Sequence, residues 1–426
     1  MAALAALAAG LLSWVAAGLG PSAPQSALAT DFARSAVSGQ EGALTVRVHA
    51  LTNLDAEHYF GASLKRIGVQ AVWIEVRNDA DTAARYLPIL TDPNYFSPQE
   101  VAQQLHGWFS SGANARLDAL LAHTGMPLAV PPHAHTSGFV FTHPDGGLKF
   151  VNVSLLAGQR LSGFHFALPI PGREYAVQRV DFGELYPAGS REDLSFDELR
   201  ARLQKEPCCV KDEKGAHEGD PLNLVIIGDG IEPIFPFASR GWRLNEPTGA
   251  ASSLAMAKAF IFSSKYDTAP VSPLYVFGRF QDLALQKARS SVSLRNHLRL
   301  WLAPYTVEHQ GVWVGQISRD IGIKLTTKSW YFTTHRISPY VDQDRDYLLQ
   351  DLLLSGMVQK FGFVQGVGVS GEARPRVNLT DDPYFTDGLR LVVQLGTQLR
   401  LPSSVEFLPW ERPSLMTGTA LGGAAH

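Results

Sequence analysis

His297-Leu298-Arg299-Leu300-Trp301-Leu302, then the turn-rich run from Pro304 to Gly311, then Val312-Trp313-Val314-Gly315-Gln316-Ile317, read together as two strands of one antiparallel hairpin. Both strand runs alternate, and alternation puts every second side chain on the same face. The pattern predicts a long-looped hairpin that carries His297, Arg299 and Trp301 side by side. Around it the chain mixes strands and helices. Leu222 to Gly228, Pro273 to Gly278, Val358 to Val369 and Leu389 to Gly396 read as strands. Thr248 to Ser264 and Asp342 to Leu354 carry apolar residues at helical spacing (Leu254, Ala257 and Ile261; Leu348 and Leu352). Residues 221–410 are therefore expected to form an α+β domain with a mainly antiparallel sheet and helices to one side.

Upstream, residues 30–185 read mostly as strands. Leu44 to Ala50 alternates strictly, and Val69 to Val76 does so in its second half. Gly138 to Phe141, Phe150 to Leu155 and Phe164 to Leu168 follow, with Pro144-Asp145-Gly146-Gly147 as a hairpin turn. One helix intervenes, opened by Ser97-Pro98-Gln99-Glu100 with a cap, a proline at the first position and an early acid. Short strands at this spacing predict an antiparallel β-sandwich. Residues 186–220 are charge-rich, with an amphipathic piece at Phe196, Leu199 and Leu203 and the pair Cys208-Cys209, and read as a connector. Residues 411–426 read as a small, polar, disordered tail.

The chain has 426 residues, 45% hydrophobic and 18% charged, with a net charge of -3. That composition excludes a disordered chain, a disulfide scaffold and a polytopic membrane protein. It also lacks the basic excess of a nucleic-acid binder. Charge is unevenly placed, however, and the first charged residue is Asp31. Ala2 to Leu19 is apolar, and Ala27-Leu28-Ala29 is a small-x-small site. Residues 1–29 thus read as a signal peptide or an N-terminal anchor, although no base precedes Arg34; an Ala-rich core helix is the alternative. Export would place the protein in the periplasm or cell envelope, with membrane contact through this segment.

Further motifs occur in order. They are Gly219-Asp220-Pro221-Leu222-Asn223-Leu224-Val225-Ile226-Ile227-Gly228, Phe277-Gly278-Arg279-Phe280-Gln281-Asp282, Arg295-Asn296-His297-Leu298-Arg299-Leu300-Trp301, Trp313-Val314-Gly315 and Thr334-His335-Arg336-Ile337. With them, the stretch of about residues 207–360 resembles the LssY C-terminal-like domain family. Tyr59-Phe60-Gly61, Gln70-Ala71-Val72-Trp73 and Tyr95-Phe96-Ser97-Pro98 resemble the region that precedes this domain in stand-alone members. The resemblance implies a bacterial envelope protein, since some members fuse the domain to membrane segments of the phosphatidic-acid phosphatase type. It implies no mechanism. Ser318-Arg319 is present, but the next histidine, His335, is too distant for the phosphatase spacing, and no Pro-Ser-Gly-His element exists.

From Arg279 to Trp301 five bases face one acid, a local net of +4. Arg279, Arg295 and Arg299 are the candidate anion-binding residues, because planar guanidinium forks suit phosphate or carboxylate. The stronger alternative is internal pairing in a buried Arg–Asp network, for Asp342, Asp344, Asp346 and Asp351 against Arg345 leave -3 on one helix. His297, His335 and Asp342 are the candidate catalytic set, against the alternative of satisfied structural histidines. His133, His135 and His143 are the candidate metal ligands, against a loop reading set by the adjacent prolines. Cys208-Cys209 reads either as a vicinal disulfide or as two free thiols. Gly366-x-Gly368-x-x-Gly371 matches a dinucleotide fingerprint in letters, but Pro375 forbids the helix that must follow. No cofactor is expected. Two functions stand side by side: a non-enzymatic envelope module that binds an anionic, lipid-phosphate-like ligand or a protein partner, and a hydrolase or transferase acting on a phosphorylated envelope substrate. The second requires Arg279, His297, Arg299, His335 and Asp342 in one cleft.

Overall fold

A computed structural model describes residues 32–413, apart from 109, 146, 172–180, 188, 246–273, 292–293 and 326–332. The leader at 1–29, the expected helix at 248–264 and most of the tail lie outside the described residues. The chain is mostly β, with several antiparallel sheets, and divides into two units, Met1–Arg173 and Glu174–His426.

The first unit holds β1 (Val37–Glu41), β2 (Leu44–Ala50), β3 (Gln70–Asn78), β4 (Ala84–Tyr86), β5 (Ala129–Val130), β6 (Ala134–Thr142), β7 (Leu148–Ala157) and β8 (Arg160–Pro169). They form two sheets, ordered β1-β2-β3-β6 and β5-β4-β7-β8. One core joins them: Val46, Val48, Val72, Ile74 and Val76 meet Val151, Val153, Leu155, Phe164 and Phe166. The intervening residues Ala71, Trp73, Phe139 and Phe141 face a second core, closed by α1 (Asn53–Phe60), α2 (Pro98–Leu105) and α3 (Ser111–Thr124). That helical layer explains why Ala71 to Ile74 is apolar without a break, since both faces of the strand are buried there. Of the three helices, the sequence pattern anticipates only α2, whose Ser97–Glu100 capping box is formed.

The second unit contains β9 (Glu192–Leu194), β10 (Cys209–Lys211), β11 (Glu218–Pro221), β12 (Leu224–Ile227), β13 (Arg243–Leu244), β14 (Tyr275–Val276), β15 (Arg279–Phe280) and β16 (Leu283–Ser291). It continues with β17 (Leu294–Val307), β18 (Gln310–Leu325), β19 (Thr333–Ile337), β20 (Val358–Gln365), β21 (Arg376–Val377), β22 (Pro383–Tyr384), β23 (Leu389–Leu395) and β24 (Glu406–Phe407). Its main sheet runs β13-β16-β17-β18-β12-β23-β20-β24, with β19 beside β18 and β9 beside β17. Pairing is antiparallel except at β12–β23, β9–β17 and β20–β24. Among its described residues three helices belong to it: α4 (Phe196–Leu203), α5 (Ile234–Ser239) and α6 (Val341–Leu353), the last against β18 and β23.

The central hairpin differs from the expected one. β17 and β18 are 14 and 16 residues long and meet at a two-residue turn, Glu308-His309, with no long loop. Both turn residues have positive φ, 47° and 67°, as a primed hairpin turn demands. Glycine is dispensable there because Asp193 holds the turn, accepting from the His309 backbone N–H at 2.8 Å and from Thr306 Oγ1 at 2.7 Å. Pro304 signals a break, but it falls where the register shifts between Leu302 and Thr306, so the missing N–H costs no ladder bond. Residues 186–220 are likewise no mere connector. Leu194, Leu199, Leu203 and Val210 lie in the second unit's core, and their charged neighbours give the stretch its polar composition.

Two local devices complete the sheet centre. A Cβ on Gly315 would lie 2.5 Å from Leu300 Cδ2 and 2.8 Å from the Arg299 carbonyl, so only glycine fits. Asn223 is fully buried, and its side-chain amide donates to the Ile317 carbonyl at 3.2 Å and accepts from the Ile317 N–H at 3.0 Å. The side chain thereby extends the β12–β18 ladder by one position.

Candidate functional site

Strand alternation builds the site. On β17, Leu298, Leu300 and Leu302 point to one face, and Arg295, His297 and Arg299 to the other. On β18 the register opposes Ser318 to His297 and Gln316 to Arg299, and Gln286 of β16 opposes His297 from the far side. Six polar side chains and one acid, Asp320, thus share one face of a central sheet, and all seven are buried. Burial of so many polar groups is costly unless they satisfy one another.

Most of them do. Asp320 is fully buried; its Oδ2 accepts from Arg295 Nε at 2.9 Å and its Oδ1 from His297 Nε2 at 2.9 Å. His335, on β19, brings Nδ1 to 3.2 Å from Asp320 Oδ2 and Nε2 to 3.3 Å from Arg295 Nη2. Arg295 Nη1 also donates to Gln286. Burial tends to raise the Asp320 carboxyl, but His297, His335 and Arg295 outweigh it and hold the group well below the usual carboxylate range. Burial lowers both histidines, His335 to about 4, against the pull of Asp320 and with help from the arginines. At neutral pH the pair is therefore Arg295⁺–Asp320⁻ flanked by two neutral imidazoles.

Arg299 is the exception. Its Nη1 donates to Gln316 Oε1 at 3.1 Å and meets His297 Nδ1 at 3.3 Å. Among the described residues no carboxylate lies at ion-pair distance from it, and its buried Nε has no hydrogen-bond partner. Desolvation pushes its pKa down to about 10, opposed by the field of Asp220. Asp220, held by Asn378 Nδ2 at 3.0 Å, is itself raised by burial. Among the described residues Arg299 is thus a buried guanidinium with no carboxylate at contact distance, a group whose chemistry suits an anion.

The same contacts argue against a Ser-His-Asp nucleophile. Ser318 Oγ lies 3.3 Å from His297 Nε2, and Asp320 takes that same nitrogen, while Arg299 occupies Nδ1. A relay needs the acid on one ring nitrogen and the hydroxyl on the other.

The remaining sequence candidates do not converge here. Arg279 makes a bidentate pair with Asp282 at 2.9 and 2.8 Å and donates to Tyr186 Oη and the Leu302 carbonyl, a structural clamp. Asp342 accepts from Thr386 Oγ1 and the Asp387 N–H, and belongs to the cluster that neutralises the buried Arg345 with Asp346 and Asp387. Its expected partnership with His335 is not formed, since His335 turns to Asp320. The metal candidates go separate ways. His133 pairs with Asp81 and His143 with Asp92, and His135 stands exposed on β6, eight residues or about 26 Å of strand from His143. Cys208 and Cys209 are joined in a vicinal disulfide. Asp320, Ser318 and Gln316 were missed as site residues; the alternation from Val312 onward, continued three residues past Ile317, was the signal that reaches them.

No curated protein matches the sequence. The family model described as the LssY C-terminus matches residues 203–389, which contain the whole hairpin, His335 and the Asp342 cluster, so this region of the chain is similar to the LssY C-terminus.

Proposed function

We propose that the second unit is a binding module for an oxyanion, phosphate or a phosphorylated headgroup, with Arg299 as its principal anchor. The carrying observation is the buried Arg299 guanidinium, which has no carboxylate partner among the described residues. Gln316, Ser318 and the neutral imidazoles of His297 and His335 supply hydrogen-bonding groups of either polarity beside it. Arg279, first grouped with this site, is assigned to the fold instead. The uncharged run at residues 1–29 supports a place in the periplasm or cell envelope, and a lipid-phosphate-like ligand suits that compartment. Among the described residues no helix is long and apolar enough to cross a membrane. A hydrolase or transferase has less support, because Asp320 and Ser318 compete for one nitrogen of His297.

Calorimetric titration of the full chain with inorganic phosphate, and sedimentation with phosphatidic-acid vesicles, test this. Saturable binding of either is expected for wild type, with at least a tenfold loss in Arg299→Met and none in Arg279→Met. Free phosphate alone binding identifies a soluble ligand, and vesicles alone a headgroup. Failure of both to bind, or equal binding by Arg299→Met, contradicts the proposal.

A further inference from the structure

Cys208 and Cys209 form a disulfide at the start of β10. A cross-link between neighbours closes no intervening chain, so it restricts the unfolded ensemble very little. Fold stability gives little reason for the pair, and the chemistry of its sulfurs gives a better one. The β10–β11 pairing sets Lys211 against Glu218 and Cys209 against Pro221, with a register shift between them, and this brings the Glu218 carboxylate to the sulfurs. Cys208 Sγ lies 3.5 Å from Glu218 Oε2, and the ligand atoms of Cys208, Cys209 and Glu218 all fall within 4.8 Å of one another. Glu218 is exposed and Cys208 half-buried, whereas Cys209 is 3% exposed, its Sγ 3.6 Å from Tyr384 Oη.

The backbone here is held by bonds other than the sulfur bridge. Arg390, fully buried, donates to the carbonyls of Glu206 and Pro207 at 2.8 Å each, and the Leu222 N–H donates to the Cys208 carbonyl at 2.7 Å. The backbone that carries Cys208 and Cys209 therefore has supports that do not depend on the S–S bond.

We infer that the reduced Cys208–Cys209 pair, together with Glu218, is a binding site for a thiophilic divalent cation of the zinc or cadmium type. A dithiol reductant opens it. One reductant thiolate attacks Cys208 Sγ, the more accessible sulfur, and Cys209 leaves as thiolate. The second reductant thiol then releases Cys208, so the reductant carries away the disulfide and the protein gains two electrons and two protons. Cation binding displaces two protons from the thiols and takes two sulfurs and one carboxylate oxygen, which leaves a fourth tetrahedral position for water or ligand. The same exchange run backwards with an oxidised dithiol, which takes up the two electrons and two protons, re-forms the Cys208–Cys209 bond and closes the site.

The test is a cadmium titration of the full chain, reduced and freed of reductant without oxygen, followed by ultraviolet thiolate-to-cadmium absorption. Expected are one equivalent bound by the reduced protein, none by the oxidised protein, loss of the band in Cys208→Ser and in Cys209→Ser, and at least tenfold weaker binding in Glu218→Gln. Circular dichroism accompanies each sample. A reduced wild type that keeps its spectrum but shows no band overturns the assignment. So does a Cys208→Ser variant that binds as wild type does, or a chain that unfolds on reduction.

Discussion

Replacing Asp320 by asparagine changes one atom at the centre of the second unit and should be among its most damaging conservative substitutions. Asp320 is fully buried, and Arg295, which it neutralises, is 2% exposed. Asparagine preserves shape but removes the charge, and it turns one acceptor oxygen into a donor that must face either Arg295 Nε or His297 Nε2, both donors at 2.9 Å. The buried Arg295 guanidinium then loses the Asp320 carboxylate that accepts from its Nε. Breaking a buried pair in this way costs about 3–5 kcal/mol. For a unit of this size that is a fall of roughly 6–20 °C in Tm. Urea unfolding followed by tryptophan fluorescence reads it directly, because Trp301 and Trp313 are buried in the same sheet. The double variant Asp320→Asn with Arg295→Met should recover about half of the loss or more, since the orphaned charge goes with its partner. A single-variant cost below about 1 kcal/mol would refute the reasoning, because water would then have to reach the pair and screen it.

Further expectations follow from the same geometry. His335 falls from its ordinary 6.5 to about 4 in the folded protein. The unfolded chain therefore takes up a proton between these values that the folded chain refuses, and stability declines as pH falls through this window, by up to about 3 kcal/mol. Urea midpoints across that range check this; His335→Gln should make the profile shallower, with His297, also lowered by burial, supplying the remaining slope, and an already flat wild-type profile contradicts it. Gly315→Ala, whose Cβ would meet Leu300 and the Arg299 carbonyl, should cost about 1–3 kcal/mol by the same unfolding assay. Arg345→Met orphans Asp342, Asp346 and Asp387 and should cost about 3–5 kcal/mol, while the protein that remains folded binds phosphate as wild type does. A loss of binding there would return Asp342 to the site.

Much of the architecture was legible because burial writes itself as periodicity. β2, β7, β8, β12, β23, α4 and α6 all fall on stretches whose apolar spacing marks them. What escaped has physical causes. α1 presents little apolar asymmetry, and its one clear local signal is the Thr52–Asp55 capping box. The Glu308-His309 turn lacks the usual turn residues because a distant acid, Asp193, supports it. At the site, alternation correctly grouped His297 and Arg299, but partner choice depends on register between strands, which no local pattern encodes. Hence Asp320, at the far end of β18, rather than Asp342, proves to be the acid of both histidines. Arg279 and Arg299 looked alike in the sequence; only packing separates the arginine clamped by Asp282 from the one that no acid meets among the described residues.

The most direct test compares Arg299→Met with wild type in urea unfolding, with and without saturating phosphate. If Arg299 is kept for a ligand, the variant matches wild-type stability within about 1 kcal/mol in the absence of phosphate, because a desolvated charge goes along with the hydrogen bond to Gln316. Phosphate should then stabilise wild type alone. A variant that loses about 3 kcal/mol or more, beside a wild type indifferent to phosphate, would make Arg299 a structural residue and contradict the account.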